Sequence, residues 1–359
     1  MKKSKLKQLL LILMYVGIGA VGGIFLGNYL IENDFSFLQL IYIAVAYYLT
    51  YYLSIIIHEA GHLVMGLKTG YEFVSFRVGS TTWIKENGKL VRKKYAIAGT
   101  GGQCIMMPKH LDNPEEINYF LYNLGGGLFN LISAAISLPL GLYISNFYLK
   151  MPLIIFGIVS LILGITNLIP MNIQAQNDGY NIYLLHKDKD YRDLFYKNLR
   201  IVGLLNQGYK PSEIPEELFE FKSTNNNAKL LKASQYVDKK DFVKAEELLT
   251  EIVNDDKISG VNEYEAKSEL LFCKIMNKDS SDEIDKLYDK DLQKYVSLYA
   301  KTHIAKLRLR YAYYLIYKED EESAQKEYEA AIKMKDSYPI KGEYLSEMDL
   351  IEYVKNCRL

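Results

Sequence analysis

An apolar run from residue 36 to 57 passes directly into the sequence HEAGH, so His58, Glu59 and His62 stand where a membrane-crossing helix would carry leucine. Ionisable side chains are costly in hydrocarbon, and a chain that keeps three of them within five residues marks a functional site. Three further stretches are long enough to cross a bilayer, for which about 20 residues suffice: roughly 8–30, 117–147 and 152–172. The first follows MKKSKLK, yet its apolar core is longer than the short hydrophobic segment of a signal peptide and lacks a clear small-residue cleavage site. It is therefore expected to remain as a first span.

The two halves of the chain differ in kind. Residues 1–182 hold 13 Lys and Arg against 9 Asp and Glu; the remainder of the 359 residues hold 30 against 34. Apolar runs crowd the first half and charge the second, which predicts a membrane domain over 1–182, a connector over 183–225 and a soluble helical domain over 226–359. No dense basic stripe points to nucleic acid. Cys104, Cys273 and Cys357 are scattered without a CxxC pair, so neither a disulfide framework nor a thiolate metal site is expected.

Lysines and arginines favour the cytoplasmic side of short loops. Lys2, Lys3, Lys5 and Lys7 precede the first span, and the loop between spans two and three carries eight basic residues, against none in IENDFS after span one. Both termini are thus expected in the cytoplasm, and spans two and four then run the same way. Within the 71–107 loop, β-branched and aromatic residues flank Asn87-Gly88, a strong hairpin signal. The glycines of GTGGQCIMMP are expected to end that pattern. Farther on, apolar residues recur at three- and four-residue intervals. Ala312, Ala324, Tyr328 and Ala331, with Phe242 and Ala245 in a more degenerate copy, match the small and aromatic positions of a tetratricopeptide (TPR) repeat. Plain helical packing accounts for them nearly as well.

His58 and His62 are four apart and share one helix face, from which two imidazoles can reach one zinc ion. Glu59 beside them can take a proton from a bound water without ligating the metal. A third ligand is required, and Asp178 is the sole carboxylate between Glu116 and the soluble tail. Because spans two and four are parallel, Asp178 should lie at the depth of the histidine pair. Pro170 and NIQAQN interrupt the helix there, and Gly179 would let the chain turn sharply. His186 is the reserve ligand, while His303 is expected at the surface. In YNLGGGLFN, Gly125, Gly126 and Gly127 allow close helix approach. Asn130 is either an interhelical hydrogen-bonding group or one that positions substrate or an oxyanion.

Together, HEAGH in one span, the glycine-rich segment with Asn130 in the next, and N-x-x-P followed by Asp178-Gly179 resemble the site-2 protease family, over roughly residues 36–185. That resemblance implies a three-helix core in which His58, His62 and Asp178 bind Zn2+ and Glu59 activates water. It also implies a β-hairpin that holds an extended substrate, and cleavage of a membrane-spanning or membrane-associated protein or peptide. The chain departs from the family in two places. Seven residues rather than about four separate Pro170 from Asp178, and GGGLFN replaces Gly-Pro-x-x-Asn.

The sequence thus predicts a mainly α, multi-pass membrane bundle of about four transmembrane helices with a small β-hairpin insertion, followed by a soluble α-helical, TPR-like domain. It predicts a zinc metalloendopeptidase, hydrolase chemistry in a bacterial cell membrane, and a cytoplasmic protein partner for the helical tail. The competing expectation is a catalytically retired membrane scaffold whose tail binds the partner.

Overall fold

The computed structural model describes residue 28 and residues 35–86, 88–95, 100–171, 176–256, 258 and 260–357. The expected first span, 8–30, lies outside the described residues, apart from Asn28. Among the described residues, three helices are long and apolar enough to cross a membrane: α1, Phe37–Lys68; α2, Tyr119–Tyr143; and α3, Phe147–Leu168. Their apolar side chains point outward in number. Phe37, Leu38, Tyr48 and Leu49 are each at least 60% exposed, the reverse of a water-soluble helix and what lipid-facing positions require.

Two compact units emerge, and they do not follow chain order. Unit 1 comprises residues up to 62 together with 122–183; unit 2 comprises 63–121 and 184–359. The 71–107 segment, expected to be an insertion in the membrane domain, therefore belongs with the soluble helices. The reason is packing, as described below for α5.

In unit 1, small residues let the helices approach. A Cβ added at Gly61 would lie 2.2 Å from the Gly125 carbonyl oxygen, and one at Gly125 would lie 2.3 Å from that of Gly61. The backbones of α1 and α2 thus touch where glycine alone fits. Gly127 packs on Leu168 and Gly164 on Leu131, bringing α2 against α3. The hydroxyls of Ser54 and Ser160, both fully buried, meet at 3.0 Å between α1 and α3, a contact worth roughly 0.6 kcal/mol in a membrane. Beyond α3 the chain breaks and restarts as α4, Asp178–Lys187.

In unit 2, four antiparallel strands form one sheet in the order β3-β2-β1-β4: β1, Tyr71–Val78; β2, Thr81–Glu86; β3, Lys89–Lys94; and β4, Gly102–Pro108. The expected hairpin is thus β2–β3, with Gly88 at φ +78° in its turn. Gly101 precedes and Gly102 begins a fourth strand, rather than ending the pattern. β4 pairs with β1 along its whole length, with a bulge between Phe73 and Ser75. Its Met106 and Met107 are buried, and the following helix α5, Lys189–Gln207, covers them. Gly203 sits so close that a Cβ would fall 2.3 Å from the Met107 sulfur. Residues 183–225, expected as a connector, therefore supply a wall of this unit.

The remaining helices are α6, Asn226–Asp238; α7, Phe242–Val253; α8, Val261–Asn277; α9, Ser281–Leu287; α10, Lys290–Tyr299; α11, Ile304–Ala312; α12, Glu321–Lys333; and α13, Lys341–Asn356. Aspartate and asparagine N-caps begin several of them: Asn225 accepts from the Ala228 N–H, Asp241 from Lys244 and Asp289 from Leu292, each worth about 1 kcal/mol. Ala245, Ala312, Ala324 and Ala331 lie in one continuous core with Phe242, and Tyr328 packs against it. Buried charge runs through that core. The Arg308 guanidinium lies 3.8 Å from the Phe272 ring centre and bonds Glu347 and Glu269 at 2.6 Å each. Lys306 bonds Glu265 at 2.5 Å and the Ser268 hydroxyl at 2.6 Å. His303, expected at the surface, is instead half-buried: Thr302 holds it at 2.9 Å and it packs against Tyr95 and Tyr299. The three cysteines are free.

Candidate functional site

The site lies wholly within unit 1. His58 and His62, one turn apart on α1, bring their Nε2 atoms to 3.2 Å. The Asp178 Oδ2 atom lies 3.3 Å from each of them. Among the described residues these three side chains form the one group of His, Cys, Asp or Glu that could hold a metal ion. His186, the reserve ligand, is exposed two turns farther along α4 and takes no part.

The tautomer of His62 follows from its surroundings. Its Nδ1 lies 2.8 Å from the Tyr122 carbonyl oxygen, which can only accept, so Nδ1 carries the proton that makes this bond. On a neutral ring Nε2 is then a bare lone pair. It faces Asp178 Oδ2, a buried oxygen with no hydrogen-bond donor. Two acceptors 3.3 Å apart in a low-dielectric interior repel, so the space between them calls for a proton or a metal ion.

Asn130 is fully buried. Its amide nitrogen lies 3.4 Å from His58 Nδ1, and its Oδ1 has no partner. Turned end for end, the same amide would accept the His58 Nδ1–H and leave His58 Nε2 as a second bare lone pair. Its contact is with the imidazole, from where it can hold the orientation of His58. Glu59 is largely buried beside His58 on α1. Gly126 is the third component. A Cβ there would stand 2.4 Å from His62 Nε2 and 2.6 Å from His58 Cε1, so glycine keeps open the space in front of both rings.

Asp178 opens α4, and the preceding residue fixes it. Asn177 uses all four of its hydrogen-bonding positions. Its amide donates to the carbonyls of Thr166 at 2.8 Å and Ile169 at 2.7 Å, while Oδ1 accepts from the N–H groups of Met171 at 3.0 Å and Tyr180 at 2.9 Å. One side chain thus closes the broken end of α3 and caps α4. The seven-residue spacing after Pro170 leaves Asp178 at the histidines because Asn177 anchors it from behind. Gly179 acts through closeness, not through a turn. Its backbone is helical, and a Cβ would meet the Leu168 carbonyl oxygen at 2.1 Å. Sequence reasoning missed Asn177; the only signal was an Asn directly before the Asp-Gly pair.

Comparison with family models, with curated proteins and with solved structures gives no match.

Proposed function

We propose that this chain is an intramembrane zinc metallopeptidase of the site-2 protease kind, acting on membrane-spanning or membrane-associated peptides. The observation that carries the reading is the triangle of His58 Nε2, His62 Nε2 and Asp178 Oδ2, with sides of 3.2, 3.3 and 3.3 Å. Ligands about 2.0–2.1 Å from a tetrahedral zinc ion stand roughly 3.3–3.4 Å apart, so these three atoms fit one face of such a tetrahedron. The donor chemistry agrees: two imidazoles and a carboxylate are a usual set for catalytic zinc, which leaves a fourth position open. The Tyr122 carbonyl orients one imidazole and Asn130 the other, as partners behind metal-bound histidines commonly do.

When bound, zinc would supply an acidified water and a polarised scissile carbonyl. The chain's own residues do the rest. Glu59 accepts the proton of the attacking water and delivers it to the leaving nitrogen. Gly126 leaves room for the reacting group in front of the imidazoles, and Asn130 and Asn177 hold His58 and Asp178 in place. Three apolar spans with outward-facing Phe, Leu and Tyr support a membrane protein; that it is a multi-pass protein of a bacterial membrane with both termini in the cytoplasm rests on a further span over 8–30 and on the basic residues of the N-terminus and the 68–109 loop. The paired helices of the tail support a TPR-like domain that binds a protein partner.

The test uses the full chain purified in detergent. It should contain one equivalent of zinc, which His58→Ala removes and Glu59→Gln retains. Glu59→Gln should abolish cleavage of co-expressed membrane peptides that wild type shortens. Zinc at far less than one equivalent, unchanged by His58→Ala, would favour the retired scaffold and end this reading.

A further inference from the structure

Unit 2 contains a cavity of about 770 Å3, within the roughly 300–1,000 Å3 range of ligand sites. The sheet forms one wall, the end of α5 a second, and the segment entering α13 a third. Its lining mixes apolar side chains, Phe73, Met107 and Leu345, with charge. Five cations line it, and Lys93 alone among them is engaged: it pairs with Glu86 at 2.6 Å and donates to the Tyr338 carbonyl at 3.0 Å. Lys85, Arg92, Lys335 and Lys341 are exposed, and among the described residues none has a carboxylate within ion-pair distance. The acids left facing them are Glu72 and Asp336, so four charges against two leave an excess of two positive charges. This local excess stands out because unit 2 as a whole, residues 63–121 and 184–359, holds 38 Lys and Arg against 39 Asp and Glu. A cleft lined by one sign concentrates ligands of the other.

The arrangement of the cations identifies the ligand class. A small-anion site converges backbone N–H groups or a guanidinium fork on one point. Here the four charges come from β2, β3 and two points of the 335–341 segment, spread around an apolar floor. That pattern suits a chain whose acidic side chains are spaced along its length with apolar ones between. The wall is fixed, since Tyr338 is buried and its hydroxyl donates to Glu343 at 2.6 Å.

We propose that this groove binds an acidic, extended peptide segment, with its apolar side chains on Phe73 and Leu345 and its carboxylates on Lys85, Arg92, Lys335 and Lys341. The inference goes beyond the peptidase reading, and its test is independent of it. The full chain carrying Glu59→Gln, stripped of zinc by chelation, is titrated into a fluorescent twelve-residue peptide of alternating Glu and Leu or Val, read by anisotropy. The acidic peptide should bind, an analogue with Lys for Glu should bind at least tenfold more weakly, and affinity should fall as salt rises. Arg92→Glu with Lys341→Glu should weaken binding by roughly tenfold or more. Lys294→Glu with Lys301→Glu reverses as many exposed charges outside the groove and should leave it unchanged. Equal loss in both double variants would reduce the effect to bulk charge and overturn the proposal. So would full displacement of the peptide by millimolar inorganic phosphate, or no discrimination between the two peptides. Because neither zinc nor cleavage enters the measurement, each result stands whether or not the chain is a peptidase.

Discussion

Gly126→Ala is the sharpest perturbation of the site, because one methyl group enters the space before both imidazoles. The new Cβ would stand 2.4 Å from His62 Nε2 and 2.6 Å from His58 Cε1, where ordinary contact needs about 3.4 Å or more. One ring, or the α1–α2 crossing, must therefore yield by about 1 Å. Opening the crossing would pull apart the backbone contact of Gly61 with Gly125, so the rings are the parts left to move. Zinc bonds tolerate about 0.2 Å, so the displaced ring leaves the ligand set or binds in a distorted one. Loss of orientation behind a ligand costs about 10–100-fold in affinity, and a methyl directly against the ligand atoms should cost at least the upper figure, about 2.7 kcal/mol. The assay is zinc affinity by chelator competition on the detergent-purified chain. Gly127→Ala is the control: its Cβ would meet the Leu168 side chain at 2.5 Å. Such overpacking should lower stability by about 1–3 kcal/mol and spare zinc affinity. If Gly126→Ala bound zinc as tightly as wild type, or no less tightly than Gly127→Ala, the convergence of His58 and His62 on a metal would be refuted.

Asn177→Ala removes four hydrogen bonds that anchor Asp178, and should weaken zinc at least tenfold by chelator competition. Asn177→Asp keeps the acceptor but loses the two donors to Thr166 and Ile169, so it should rescue little; recovery of wild-type affinity by Asp would refute the anchoring role. In the tail, burial foremost, with Glu269 and Glu343 nearby, pushes the Glu347 carboxyl up to about 7, against the pull of Arg308. A carboxyl raised in the folded state keeps its proton there longer than in the unfolded chain, so its contribution is full below about 4.5 and is lost as pH rises through about 7. Relative to Glu347→Gln, which cannot ionise, wild type should therefore lose melting temperature between pH 5 and 8. This comparison cancels His303, whose lowered pKa acts the other way below about 6.5. A difference between the two chains that stays flat across that range would show Glu347 to be ionised throughout.

Sequence carried the histidine pair and its carboxylate because those residues obey strong local rules. Helical periodicity puts His58 over His62, and the scarcity of carboxylates in apolar sequence singles out Asp178. What sequence did not carry falls into two kinds. Some groups have no side-chain signature: the orienting partner of His62 is the Tyr122 backbone carbonyl, and the contact of Gly61 with Gly125 is an absence of atoms on both sides. Others depend on segments far apart in the chain. Gly102–Pro108 looked like a glycine-marked end to the strands because two methionines and a cysteine blur the alternation that betrays a half-buried strand. It becomes β4 because β1 has an edge to satisfy and α5, some ninety residues later, covers Met106 and Met107. The cationic groove is less legible still, being assembled from β2, β3, α5 and the start of α13. Asn177 lies between the two kinds. It was in plain view beside Asp178, but its worth comes from four backbone groups that a broken helix leaves open, and these exist only once α3 has ended and α4 has begun. An amide that can both donate twice and accept twice is the side chain able to close the end of α3 and the start of α4 at once.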